Sequence, residues 1–455
     1  MLHADRHCPH GAKECDFVSK RLYVLGSVSL IVIMSLAFRI MAVSTYASVE
    51  NSLIIWIATI LPMTLFFVIT VRYSNYCSSS LYCLTALLLS TLNSEAMPLL
   101  EFTSAFSNEQ VLNTANMICK NTLISLGLVI IIRFGYLLVN KISAEKKKTA
   151  WIFSSMTAVS FIMILLIIIF GDRSTGTSMV VIGNIISFQI AIPVCIISII
   201  ELGLSWNINC KTFKLLYVSE AVILNLFLIL MGETGIPLIT FIAFVFFYYF
   251  LQEKRIKLIS FGIPLLSALS IAFIWIIHIL REKIVDIPML SSISDKIEIR
   301  IFSSDLVDQI QMCMRSISAG GIFGSVDYTQ YLPEASSDFS FATITHYNGF
   351  IVVLIVITIF VAFLVFGMHD YTKKHKENNI QKLFFSFTAV IFIYNILMCV
   401  GIVPVLGVQI PFTGTSKSFV ILNAFLLGVL TSDNEFDMNI LEKVKEVFTN
   451  VKDNQ

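Results

Sequence analysis

The sequence predicts an all-α, polytopic membrane protein with about twelve transmembrane helices and one large extracytoplasmic loop. Three observations predict it. Apolar residues make up 56% of the 455 residues and charged residues 13%, against roughly 25% charged in a soluble domain. Mean hydropathy is +0.84. The apolar residues gather into runs of membrane-spanning length, and Lys and Arg gather in alternate connections between those runs.

Composition also removes several function classes. A formal net charge of +1 gives no basic field, so nucleic acid is not expected as a partner. The seven His and nine Cys contain no CxxC pair and no HExxH, so neither a zinc centre nor a redox motif is signalled. His3, His7, Cys8, His10 and Cys15 cluster in a short tail, which reads as a solvated segment rather than a metal site. No metal ligand is assigned.

The elements follow in order. Residues 1–21 form a cytoplasmic N-terminal tail, and Leu22 to Val43 is a long apolar run without a small-residue cleavage site, so it reads as an uncleaved anchor. With Ser52 to Val71, Ser80 to Leu100, Ile118 to Val139 and Ala150 to Phe170 it makes an N-terminal transmembrane block, residues 22–171. A central block, residues 172–280, holds Met179 to Ile200, Phe213 to Met231, Ile236 to Leu251 and Leu258 to Leu280. Between two of these spans, Gly232 to Gly235 (GETG) fits either a tight turn between helices or a kink in one. The C-terminal block, residues 349–431, holds Gly349 to Met368, Leu383 to Val405 and Phe419 to Leu430. Residues 432–455 form a cytoplasmic tail in which NILEKVKEVF has amphipathic helical spacing.

Charge fixes the expected orientation. With both termini in the cytoplasm, the inner connections carry Arg72, Lys141, Lys146 to Lys148, Lys211, Lys254, Arg255, Lys257, Lys373, Lys374 and Lys376, and the short outer ones are nearly free of Lys and Arg. That places the chain in the cytoplasmic (inner) membrane with residues 281–348 outside. This loop has five Lys or Arg against nine acids and no spanning stretch. Loops of this length in a compact protein usually carry function.

Two blocks in and after the loop resemble a known family. SSDLVDQIQMCMRSISAGGIFG (303 to 324) followed by YLPEASSDFSFATI (331 to 344) is similar to the outer loop of the SEDS proteins, the RodA and FtsW glycan polymerases. There a glutamine-rich helix leads to a GSGGLFG-like turn and then to LPE, three residues, DF. YNILMCVGIVPVLGVQIPF (394 to 412) resembles the family's asparagine-containing helix with its PVTG, two residues, PF turn. Both blocks fall in the family's order with one helix between them. Fainter likenesses are LILMGETGIP, with Glu233 where the family has Asp, IEIRIF around Arg300, and SFQIA, which keeps the glutamine of a QPSE motif as Gln189. The chain departs from the family at Thr345, His346 and Tyr347, where a pair of glutamates is usual, and at Thr413 to Lys417, where Ser, Tyr and two Gly are usual.

The resemblance implies a function. SEDS proteins polymerise lipid II, an undecaprenyl-pyrophosphate-linked disaccharide, into peptidoglycan strands, together with a class B penicillin-binding protein that acts as transpeptidase. It implies Asp338 as the general base, since the reaction takes a proton from a sugar hydroxyl and burial raises a carboxylate's pKa toward working pH. Considered alone, Asp338 also suits an N-cap before FSFATI. Glu334, Gln309, Arg173, Arg300, Arg315 and Lys417 are the candidate substrate-binding residues, with the cations facing the departing pyrophosphate. Arg173 equally fits a surface arginine at headgroup level. Pro333, Asn395, Pro404 and Pro411 are assigned structural roles. No cofactor motif is present, and a divalent cation such as magnesium is admitted between Glu334 and Asp338. Two other functions stay open: a non-catalytic scaffold for a transpeptidase, and a flippase for lipid-linked oligosaccharide, which would place its acids at mid-membrane.

Overall fold

The computed structural model describes residues 26–27, 30, 49–73, 77–103, 108–143, 146–172, 179–182, 186–207, 211–230, 233, 235–251, 276, 279, 304–325, 338–373, 378–413 and 417–432. The expected spans at 22–43 and 258–280 fall almost wholly outside the described residues. The rest builds a helical bundle. Its helices are α1 (Val49–Tyr73), α2 (Cys77–Thr103), α3 (Asn108–Ser143), α4 (Lys146–Phe170), α5 (Ala191–Asn207), α6 (Lys211–Leu230) and α7 (Gly235–Phe246), the last running on into a π-helical turn, Phe247–Leu251. They continue with α8 (Ser304–Gly320), α9 (Ser340–Lys373), α10 (Asn379–Cys399) and α11 (Lys417–Leu430).

Among the described residues, Ala150–Ile169, Ser340–Thr372 and Asn379–Cys399 are long and apolar enough to cross a membrane, and seven further apolar helical stretches accompany them. Leu61, Leu65, Trp151, Phe161, Ile169 and Val365 are exposed on the bundle's outside, a greasy surface that suits lipid. The chain is a multi-pass membrane protein.

α10 is the centre. It is buried nearly all round, and Phe384, Phe385, Phe387 and Phe392 have almost no exposed surface. Phe392 stacks on Phe360 of α9 with ring centroids 3.7 Å apart. Polar side chains fasten one end of the bundle. Ser78, at the start of α2, donates its hydroxyl and its N–H to Asp370 Oδ2 at 2.8 and 3.3 Å. Gln381 Nε2 donates to the carbonyls of Val429 and Ser432 at 2.9 and 3.0 Å, and Arg133 Nη2 donates to that of Thr431 at 3.0 Å. Tyr136 completes the set through Asn378. A buried carbonyl past a helix end needs a donor, and here side chains from neighbouring helices supply it.

Several expectations change. Met179 to Ile200 is not one helix. Its first part pairs as strands β2 (Met179–Ile182) and β3 (Ile186–Gln189) in an antiparallel sheet with β1 (Gly171–Asp172), with Met179 opposite Gln189 and Ile182 opposite Ile186. The all-α architecture therefore carries one small β meander. Pro193 lies in the first turn of α5, where its missing N–H costs no helical hydrogen bond. The β-branched Val180, Val181 and Ile182 suit a strand. At GETG, α6 ends at Leu230 and α7 starts at Gly235, and between them Glu233 N–H donates to the Leu228 carbonyl at 3.0 Å.

The expected span Leu383 to Val405 ends as a helix at Cys399. Gly401, at φ +75°, supplies the left-handed residue of a helix stop. The matching hydrogen bonds run from Gly401 N to Met398 O at 3.0 Å and from Ile402 N to Leu397 O at 2.9 Å. α9 is broken at Gly349, with φ 77° and ψ 169°. A short helical piece at 340–348 therefore precedes the long membrane helix.

Candidate active site

The site is built where the short piece of α9, the end of α10, the start of α11 and the start of α7 meet. α8 supplies the frame on one side. Its Ile310, Cys313, Ile317 and Gly320 recur at helical spacing and are buried or half-buried, while Asp308, Gln311, Arg315 and Ser318 are exposed. Past its C-terminus, the turn at 321–325 clasps the break in α9 main chain to main chain. Ser325 N–H donates to the His346 carbonyl at 2.8 Å, Phe350 N–H to Gly321 O at 3.0 Å and Ile351 N–H to Ile322 O at 3.3 Å. Only glycines allow this approach. A Cβ on Gly349 would lie 2.3 Å from Gly324 N, and one on Gly324 would lie 2.2 Å from Tyr347 O.

Where the family carries glutamates, this chain uses the same stretch for packing. His346 Nδ1 pairs with the Ser316 carbonyl at 3.0 Å, and Thr345 Oγ1 donates to Phe341 O at 2.7 Å. Of these, His346 ties the stretch to α8, while the Thr345 bond stays within its own helix.

Asp338 stands two residues before α9. The helix's first carbonyl is that of Phe339, which accepts from Thr343 N–H at 3.1 Å, so the N-cap position belongs to Phe339 and not to Asp338. The Asp338 main chain is held instead by Asn395, whose Nδ2 donates to Asp338 O at 2.9 Å and to Val408 O at 2.5 Å. Asn395 is fully buried, and one amide group with two hydrogens joins two separate loops. The Asp338 side chain is half-buried and lies along Gly407, where a Cβ would come 3.3 Å from its Oδ2.

The irregular stretch 400–413 is pinned along its length. Tyr394 OH donates to Pro404 O at 2.8 Å, Phe412 N–H donates to Asn423 Oδ1 at 3.1 Å, and the Ser340 and Thr413 hydroxyls meet at 2.7 Å. Irregular backbone in a membrane protein survives only where protein supplies such partners. Gly235, at the head of α7, packs on this stretch, since its Cβ would fall 2.2 Å from Leu406 O. Just before it, buried Glu233 accepts from Gln189 Nε2 at 3.1 Å, and Gln189 N–H donates to Ser418 Oγ at 2.9 Å. The small sheet is thereby tied to the first turn of α11.

The expected residues are distributed as follows. Asp338 and Asn395 come together. Lys417 is the first residue of α11, beside the Ser418 to Gln189 contact. Pro411 is buried and Pro404 exposed within the pinned stretch. Gln309 is half-buried on the flank of α8, and Arg315 stands on its exposed face, away from the face that packs on the bundle. Glu334, Pro333, Arg173 and Arg300 lie outside the described residues. Among the described residues no three His, Cys, Asp or Glu converge to hold a metal, and Glu334, the expected partner of Asp338 for magnesium, is not among them.

Sequence reasoning did not assign Gly407, Ser340, Thr413, Gln189 or Glu233 to the site. The signal for the last two was the pair of faint motif likenesses, 44 residues apart, that the fold brings to hydrogen-bond distance. Chemically, the arrangement presents a carboxylate with a fixed main chain beside a glycine that leaves it room.

Known proteins resemble this chain as follows. The profile of a family described as "Cell cycle protein", FtsW/RodA/SpoVE, matches residues 87–437. The probable peptidoglycan glycosyltransferase FtsW of Borreliella burgdorferi is 31% identical over 135 residues, which is 27% of this chain and 36% of that protein. The protein of the same name from Wigglesworthia glossinidia brevipalpis is 30% identical over 149 residues, 29% of this chain and 37% of the relative. The chain thus spans little more than a third of the length of the curated relatives it matches. A solved structure described as "Structural coordination of polymerization and crosslinking by a peptidoglycan synthase complex" matches with a TM-score of 0.54 at 15% identity, covering 78% of this chain and 97% of that one. At that identity the likeness concerns the fold.

Proposed function

This chain belongs to the FtsW/RodA/SpoVE family of cell cycle proteins, and we propose that it is a peptidoglycan glycosyltransferase in which Asp338 is the general base. Its substrate on this reading is lipid II. The sugar hydroxyl of one lipid-linked unit gives its proton to the Asp338 carboxylate as the oxygen attacks the anomeric carbon of the other chain. The new glycosidic bond forms as the bond to undecaprenyl pyrophosphate breaks. A base must be held within hydrogen-bond reach of the hydroxyl it serves, and a fixed geometry lowers the barrier by removing the entropy of alignment.

The observation that carries the reading is the holding of Asp338: Asn395 fixes its main chain, and Gly407 leaves the carboxylate unobstructed on one side. The names of the curated relatives point to the same activity. The bundle supports it as well, because a lipid-linked substrate reaches such a site from the bilayer. The pyrophosphate would be met by cations, for which Lys417, Arg173, Arg300 and Arg315 are the candidates, with Glu334 and Gln309 contacting the sugars. The partner on this reading is a class B penicillin-binding protein in the cytoplasmic membrane, and both termini lie on the cytoplasmic side.

The test is polymerisation of lipid II by the full-length protein in liposomes. The unmodified protein should extend glycan strands, and Asp338→Asn should stop extension with an unchanged melting temperature. No polymer from the unmodified protein, even with its transpeptidase present, would favour the scaffold reading. Movement of labelled lipid across the bilayer without extension would favour a flippase.

A further inference from the structure

α8 lies as a single layer against the end of the bundle where Asp338 stands, and one thiol sits in the middle of its inner face. Cys313 has 0% of its surface exposed, while Gln311, Arg315 and Ser318 are exposed on the outer face. The last turn of α10 receives this inner face. A Cβ on Gly401 would fall 2.9 Å from Ile310 Cγ2 and 3.9 Å from Met314 Sδ. Residues 310, 313 and 314 share one side of a helix, so Cys313 is aimed at the turn that begins with Cys399.

The Cys313 and Cys399 side chains are neighbours there. Cys399 also has 0% of its surface exposed, and its Sγ lies 3.6 Å from Asn395 Oδ1. The other amide atom of Asn395 holds Asp338 and Val408. A contact chain therefore runs from α8 through two sulfurs and one amide to the main chain of the candidate base. The other buried thiols have different partners: Cys195 bonds to Asn225, and Cys83 faces Thr70. All of these cysteines are free in this structure.

We propose that Cys313 and Cys399 are a site of oxidative modification, closing to a disulfide that fastens α8 to α10 beside Asp338. Each thiol gives up one proton and one electron, and one S–S bond forms. The two electrons and two protons pass to a disulfide or comparable two-electron oxidant, whose own bond is reduced; with a disulfide oxidant the exchange runs through a mixed disulfide at one of the two sulfurs. The pair lies one helix beneath the surface, so tilting α8 outward exposes it. Oxidation then fixes α8 in its seated position, and reduction frees it.

The thiol chemistry stands apart from the polymerase reading, and its test needs no activity. Full-length protein in nanodiscs is treated with diamide, a small oxidant that accepts the same two hydrogens, then denatured, alkylated, digested and mapped by mass spectrometry. The expected result is one linked peptide pair joining Cys313 to Cys399, lighter by two hydrogens, which dithiothreitol converts to two alkylated peptides. Cys313→Ser and Cys399→Ser each abolish it. Tryptic cleavage after the exposed Arg315 in the native protein slows at least severalfold on oxidation, and that slowing is absent in either serine variant. Complete alkylation of both residues after oxidation, or scrambled pairing with other cysteines, overturns the proposal. Lipid II extension measured on the same samples reports separately on Asp338.

Discussion

The side-chain amide of Asn395 holds the main-chain carbonyl of Asp338 at 2.9 Å, across 57 residues of sequence. The same nitrogen holds Val408, so two loops that are remote in the chain are set relative to each other by one buried group. Asn395→Ala leaves two carbonyls without a donor, at a cost of about 1–3 kcal/mol each. Melting should fall accordingly, and with Asp338 as the proposed base lipid II extension per folded molecule should fall by about tenfold or more, since that base would lose its alignment. Asn395→Asp keeps the shape but not the donors; unmodified rates in that variant would contradict the assigned relationship.

Gly407 has φ +66° and its Cβ position lies 3.3 Å from Asp338 Oδ2. Gly407→Ala should cost about 1–2 kcal/mol for the left-handed backbone and should also push the carboxylate aside, lowering kcat. Gly321→Ala is the control. Gly321 has φ +57° with open space around it, so stability should fall by a similar amount while kcat is kept. Equal losses of kcat in both variants would mean that contact with Asp338 is irrelevant.

The clasp between 321–325 and the break in α9 has no room for a side chain. Gly349→Ala places a methyl 2.3 Å from Gly324 N and 2.5 Å from Ile322 O. The loss should exceed about 4 kcal/mol, the range of severe packing defects. Expression and detergent-extracted melting curves should show little folded protein.

Gln189 and Glu233 are bonded at 3.1 Å. Glu233→Ala should destabilise by about 1.5–3 kcal/mol, whereas Glu233→Gln retains an acceptor oxygen and should cost less. A double-mutant cycle with Gln189→Ala should give a coupling of about 1–2 kcal/mol. Strict additivity would show that the two side chains do not interact in solution.

Asp370 lies about 30 Å along α9 from the break, at 1.5 Å per residue, and accepts two bonds from Ser78. Asp370→Asn should lower stability by about 1–2 kcal/mol through the weakened helix start. Lipid II extension per folded molecule should be unchanged, which separates damage to the scaffold from damage to the site.

The sequence by itself determined the membrane class and the positions of most helices. Each of these depends on how a local segment divides between lipid, protein and water, which composition and periodicity report directly. It also marked Asp338 and Asn395 through their motifs. Local hydropathy could not show that Met179 to Gln189 pairs as strands, because a short apolar run is equally strand and helix, and Pro193 was the one cue to the true helix start. Only the tertiary structure decided that Asn395 meets Asp338, that Gln189 meets Glu233, and that Cys313 and Cys399 are neighbours. Those contacts join segments tens of residues apart, and they depend on how helices cross and how closely glycine lets their backbones approach, which no single stretch of sequence contains.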